Sequence, residues 1–267
     1  MITKKEFNTI FNRIYQESDK GQKDELIFHK ERYFITIKEI SFLIEKVIKE
    51  PVDILEIGPG DYFLARILIQ IYPQKIKSYE GLEKRYFKTI SGSTPYNGFK
   101  THIKDIEGET VNLNKKYNII LCLEVIEHLL YNPTMFLSNI YNNMSIDSFL
   151  MLTTDNVCRL INIFKLLSGK NVYHPYKEVE DFRHNREYTY DEMLNLLKGI
   201  GYEIKIAKRF NFTPVLNGKF KTLLYRFFNI ISEIFYRYKR HMLFLCKRTS
   251  LAPNSYKPIE IYEGIYE

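Results

Sequence analysis

Tryptophan is absent from this chain of 267 residues, and cysteine occurs three times, at Cys122, Cys158 and Cys246. With no Cys-x-x-Cys pair, the cysteines argue against a disulfide framework or a zinc knuckle. A reducing cytoplasm is the expected compartment. No apolar run approaches the roughly 18 residues that a membrane-spanning helix needs. The opening, MITKKEFNTIFNRIY, lacks the apolar core and small-residue cleavage site of a secretory signal. Glycine and proline are sparse, 12 and 9 residues, which excludes fibrous and low-complexity classes. What is present suffices for a globular core: 45% of residues are hydrophobic and 27% charged.

Acid is scarce in one region. Residues 202–248 hold eleven Lys/Arg against two acids, Glu203 and Glu233, so the excess behind the formal net charge of +7 sits near the C-terminus. Such a block fits a solvated face, an anionic membrane or a nucleic acid.

Apolar periodicity predicts helices over 4–16 and 38–49, the second stopped by Pro51. Val52 to Ile57 reads as a strand that meets Gly58-Pro59-Gly60, and Asp61 to Ile71 reads as the helix after that turn. Further strands are expected at 76–83, 99–104, 117–123, 147–153, 202–208 and 241–248, and helices at 84–90, 133–144, 156–168 and 219–238. Thr189 with Glu192 predicts a capping box for a helix running to Gly199. Strands alternating with helices define an α/β chain with a mainly parallel sheet. The expected organisation is N-terminal helices over 1–50, one domain over 51–249 and a tail over 250–267.

The stretch ILEIGPGDYFLARIL carries the most information. A strand feeding a glycine turn lets a ligand approach the backbone, and helix N-termini favour negative groups. Phe63 occupies the third glycine position of a dinucleotide fingerprint, so that reading fails. The run instead resembles the first motif of class I S-adenosylmethionine-dependent methyltransferases. A second motif agrees in order: Leu123-Glu124-Val125-Ile126-Glu127-His128-Leu129 resembles the family's sequence after its fourth strand. The resemblance covers residues 50–210. It implies a Rossmann-like seven-stranded, mainly parallel sheet with helices on both faces, and S-adenosylmethionine as cofactor.

By that resemblance, Gly58, Pro59 and Gly60 wrap the methionine and ribose of the cofactor, and Glu56 helps place the amino group. A carboxylate at the end of the second strand accepts both ribose hydroxyls. Glu83 fits the family's ending of that strand, and Glu80 fits the usual spacing. Asp105 would meet the adenine amino group and Ile106 its ring, with Leu123 and Glu124 completing the cofactor side. Tyr62 departs from the family, which has a small residue there, and is expected to narrow the pocket.

Two imidazoles are candidate bases, His128 first and His184 second. Glu124, Glu127, His128 and His184 also match the Mg²⁺ ligands of small-RNA 2′-O-methyltransferases, although a pair of histidines is unusual for so hard a cation. The favoured reading has no metal. Residues 153–190 resemble methyltransferases encoded with bacterial polysaccharide and glycan enzymes, with Asp155 in place of the usual proline. Tyr173, His174, Tyr176 and Arg183 would contact the acceptor from an insertion over 155–190. The expected activity is O-methylation of a sugar, polysaccharide or lipid-linked glycan hydroxyl. The alternatives are a Mg²⁺-assisted RNA 2′-O-methyltransferase and a non-catalytic cofactor-binding subunit. Residues 219–240 form a basic amphipath that would pack on the sheet, make a homodimer or lie peripherally on the inner face of a membrane. Nucleic acid fits less well, because the aromatic residues share one greasy face instead of alternating with basic ones.

Overall fold

A computed structural model describes residues 1–84, 98–130, 133–173, 183–214, 219–250 and 253. The expected helix over 84–90, like His174 and Tyr176, falls outside or at the margin of these residues. The chain divides into two compact units, Met1–Lys104 with Phe212–Phe227, and Asp105–Asn211 with Phe228–Glu267.

The first unit opens with α1 (Lys4–Glu17) and α2 (Lys20–Phe42), each begun by a capping box, Thr3 with Glu6 and Asp19 with Gln22. The second helix starts well before the expected residue 38 and ends in a π turn, Leu43–Val47. β1 (Val52–Ile57) follows, its mostly apolar sequence, interrupted by Asp53 and Glu56, buried at all but one position. It pairs in parallel with β2 (Ile76–Glu83), and β2 pairs in parallel with β3 (Lys100–Ile103). The register sets Glu56 opposite Gly81 and Ile57 opposite Leu82. α3 (Phe63–Ile71) joins β1 to β2, and Phe63 meets Phe11 edge-on with ring centroids 5.5 Å apart. Phe7, Phe11, Ile37, Ile40, Ile54 and Leu68 are buried here. Each such side chain contributes about 1.5–3 kcal/mol by leaving water.

In the second unit, β4 (Tyr117–Leu123) lies parallel to β5 (Met144–Asp155), which begins and ends beyond the expected 147–153. α4 (Pro133–Asn143) connects them. After α5 (Leu160–Leu167), shorter than expected, comes α6 (Tyr190–Ile200). Thr189 and Glu192 form the expected box at its start, and Gly201 (φ 107°) closes it. β6 (Tyr202–Phe210) and β7 (His241–Arg248) are antiparallel, and β7 also runs antiparallel to β5. α7 (Lys219–Ile234) intervenes, its residues up to Phe227 belonging to the first unit. The seven strands take the order β3-β2-β1-β4-β5-β7-β6. This is the expected Rossmann-like arrangement, mainly parallel with β7 alone reversed among the described strands.

Candidate active site

The turn after β1 is built on left-handed backbone. Gly58 (φ 66°) and Gly60 (φ 52°) adopt it without steric cost. A Cβ on Gly60 would meet none of the described atoms within 4 Å, so the space beside that Cα is open. The Gly60 N–H donates to Glu83 Oε1 at 3.2 Å, which brings the end of β2 to the glycine turn. Burial pushes the Glu83 carboxyl up to about 7, against the lowering effect of that bond. Burial likewise takes Glu56 to about 8, although the Tyr79 hydroxyl donates to its Oε2 at 2.6 Å. A backbone cradle with two acids poised to ionise suits a ligand bearing an ammonium group and vicinal hydroxyls. Glu80 lies elsewhere: its Oε2 is 2.7 Å from His102 Nε2 and 3.3 Å from Lys100 Nζ.

Tyr62 also takes left-handed backbone (φ 53°), an unusual state for a large side chain. Its ring is buried and stacks on Phe99, with centroids 4.8 Å apart and planes 11° from parallel. Its hydroxyl shares a 2.5 Å hydrogen bond with Thr101 Oγ1. These contacts offset a backbone cost of order 1 kcal/mol. The hydroxyl occupies the space over Gly81, where an added Cβ would lie 2.1 Å from it.

The second unit gathers a different set. Asp105 Oδ1 accepts the N–H groups of Glu107 (3.2 Å) and Gly108 (3.0 Å), fixing its own turn. Ile106 is buried, and its carbonyl accepts from Asn139 Nδ2 at 2.8 Å. After Leu123, the last residue of β4, Glu124 sits at φ 57°, a strained conformation of the kind often stored at functional sites. His241 Nδ1, at the start of β7, lies 3.3 Å from Glu124 Oε2 and 3.1 Å from Asp155 Oδ1.

Glu127 and His128 belong to a single 3-10 turn, Ile126–His128. Segment 183–188 is pinned to it: the N–H groups of Asn185 and Arg186 donate to the Glu127 carbonyl, and Asn185 Nδ2 donates to that of His128. His128 Nδ1 lies 3.0 Å from the Arg183 carbonyl. A carbonyl only accepts, so Nδ1 carries the proton and Nε2 the lone pair. Burial, then the neighbouring His184, lowers His128 to about 4, so the ring is neutral at pH 7. The two imidazoles meet edge-on, 4.8 Å between centroids.

His184 Nδ1 lies 3.0 Å from Glu187 Oε1 and 3.6 Å from Asp155 Oδ2. Arg159 forks onto the same Glu187 carboxylate at 2.5 and 2.9 Å. Burial would raise Glu187, but the bonds from His184 and Arg159 prevail and bring it to about 2. Glu187 is thus a fixed anion that orients His184. Glu127 is fully buried. Thr154 Oγ1 donates to its Oε2 at 2.8 Å, while Oε1 has no hydrogen-bond partner among the described residues. Burial, then Glu124 and Asp155, hold its carboxyl well above the ordinary range. One ligand atom each from Glu127, His128 and His184 fall within 4.8 Å of one another, as do atoms of Glu124, Asp155 and His241. Tyr173 is exposed.

Sequence reading missed Glu187, Arg159 and His241 as parts of this cluster, and treated Asp155 only as a departure from a motif. Glu187 carried a signal, standing three residues after His184 in the same motif-like segment. His241 carried none, because only the antiparallel register places it opposite Asp155.

The fold and the glycine turn define a class I methyltransferase. The sequence model of a family described as "Methyltransferase domain" matches residues 27–205, so the chain belongs to that family, and its methyl donor is S-adenosylmethionine. No curated protein matches the chain. Among solved structures, a SAM-dependent methyltransferase from Archaeoglobus fulgidus aligns at a TM-score of 0.52 with 14% identity, over 86% of this chain and 100% of that one. The plantazolicin methyltransferase BpumL, solved with a triazolic desmethylPZN analog and SAH, gives 0.55 with 15% identity, over 93% and 100%. A chain of the complex of the Haloferax volcanii Trm112 methyltransferase activator with a methyltransferase gives 0.55 with 10% identity, over 90% and 98%. These likenesses support the fold.

Proposed function

We propose that the chain methylates a hydroxyl of a sugar, polysaccharide or lipid-linked glycan, with His128 as the general base. The observation that carries this reading is the setting of His128: its Nδ1 lies against the Arg183 carbonyl, which leaves the lone pair on Nε2, and its ring meets that of His184. A hydroxyl is a poor nucleophile until its proton is accepted, whereas a thiolate or neutral amine needs less help. In this reading Gly58, Pro59, Gly60 and Glu83 hold the cofactor, Glu83 through the ribose hydroxyls, and Glu56 faces the amino group. When bound, S-adenosylmethionine supplies an electrophilic methyl on a sulfonium. That methyl would pass to the acceptor oxygen, with the sulfur as leaving group keeping the electron pair. His128 Nε2 takes the hydroxyl proton. His184, oriented by Glu187, is a second base or an acceptor-positioning group, and Arg183 and Tyr173 supply polar and aromatic contact. Alignment of the reacting atoms supplies much of the rate.

One observation favours a second reading. The unpartnered Oε1 of Glu127 stands in one group with His128 and His184, which suits a divalent cation that polarises a ribose hydroxyl. A single experiment separates the two: transfer of labelled methyl to sugar nucleotides, lipid-linked sugars and RNA, with chelator or Mg²⁺. The first reading expects transfer to a saccharide hydroxyl that persists in chelator. Transfer to RNA only, dependent on Mg²⁺, establishes the second, and methylation confined to nitrogen or carbon overturns both.

A further inference from the structure

α7 is built inside out. Ser232, on its body side, is almost wholly buried and accepts from Asn211 Nδ2 at 2.8 Å, and the same amide reaches Glu233 Oε1 at 3.0 Å. The residues that should make a core face solvent: Phe227, Ile230 (67% exposed) and Ile234 (76%). At about 100° per residue, these positions fall on one side of the helix, opposite Ser232. The expectation that this apolar face packs on the sheet is therefore not met for these described residues.

α5 exposes apolar residues at its C-terminal end. Asn162 is fully buried and donates to the Val157 carbonyl at 2.9 Å, while Leu166 and Leu167 (80% exposed) face outward. Phe164 and Phe228, with ring centroids 5.4 Å apart, tie α5 to α7. Polar contacts and this ring pair hold the two helices, and each leaves large apolar side chains exposed. Exposed cations accompany them: Lys165 and Lys170 beside α5, Arg226 and Arg237 beside α7.

We propose that α5 and α7 together dock the protein on an anionic lipid surface, with Leu167, Ile230 and Ile234 entering the acyl boundary and the cations meeting headgroup phosphates. Charge decides the occupant. A second copy pairing through the same face would set this basic rim against itself, which is unfavourable. An anionic bilayer accepts both the apolar ridge and the charge. No described helix is long and apolar enough to cross a membrane, so the contact is peripheral.

Flotation with vesicles tests this on the full chain. The wild type should float with phosphatidylcholine–phosphatidylglycerol vesicles at low salt, float poorly with phosphatidylcholine alone, and release as salt rises. Ile230→Glu/Ile234→Glu and Leu166→Glu/Leu167→Glu should each weaken capture about tenfold or more, with circular-dichroism melting unchanged because all four side chains are exposed. No flotation at low salt overturns the proposal, as does flotation that both variants retain. Light scattering that shows a dimer dispersed by these substitutions, without vesicle capture, would assign the face to a second copy instead.

Discussion

The two units assemble their polar groups in different ways. In the first, Glu56, Gly58 and Gly60 come from one strand and its turn, and Glu83 from the adjacent strand. Its acids lie above their ordinary range because burial is only partly answered by hydrogen bonds. In the second, Glu124, Glu127, His128, Asp155, His184, Glu187 and His241 come from the ends of β4, β5 and β7 and from segment 183–188. There Glu187 is answered by His184 and Arg159 and sits near 2. The contrast teaches where each site is written: the first in a short motif, the second in the register of the sheet. Within the second, Glu187 is answered by cations, whereas Glu127 is held well above its ordinary range by burial and by Glu124 and Asp155.

The sharpest way to break the comparison is Gly58→Arg. It puts a long side chain at φ 66° in the turn, and calorimetry with S-adenosylhomocysteine should show affinity down more than about 100-fold. Binding that survives would move the cofactor away from this turn. His128→Ala probes the other unit: kcat should fall roughly 100-fold with cofactor affinity within about twofold. Loss of affinity instead would show that the two sets are not separable.

The titrations differ in sign. Glu56 and Glu83 have raised folded pKa values, so they cost stability as pH rises from the unfolded value near 4.5 through about 7 and 8. A cofactor that needs them ionised should bind several-fold tighter at pH 8 than at pH 6, and its melting increment should grow over that range. Glu187 is depressed to about 2, so its contribution is present above about 4.5 and lost as pH falls toward 2. A Glu187→Gln variant should therefore lose its stability deficit in acid. The smallest effect is expected from Thr189→Ala, which removes the capping box of α6 at about 1 kcal/mol in denaturant melts, with cofactor affinity unchanged.

Much of this was legible in sequence, for identifiable reasons. Buried parallel strands are rich in Ile, Leu and Val, so β1 and β4 stood out, and capping residues marked α6. Residues 20–37 were missed as helix because Lys, Glu and aromatic residues alternate there without an apolar stripe; within α2 the buried positions before Thr36 reduce to Leu26. Glu83 and Glu80 were indistinguishable by spacing. The hydrogen bond from Gly60 and the pairing of Glu80 with His102 separate them in space. The second cluster was half legible. Glu124, Glu127 and His128 share a motif, whereas Arg159 and His241 reach the cluster only through tertiary structure.

Tyr62 and Gly81 are a coupled pair, and this has a consequence for how the sequence can change. A methyl group on Gly81 would lie 2.1 Å from the Tyr62 hydroxyl and 2.7 Å from Pro59. Gly81→Ala should thus need both a small residue at position 62 and a shift of Pro59, while Tyr62→Gly alone leaves a void. An evolving lineage can cross in one direction through the void but not through the clash. In a combinatorial library the two sites should show strong sign epistasis, with surviving substitutions at position 81 found on backgrounds already altered at position 62.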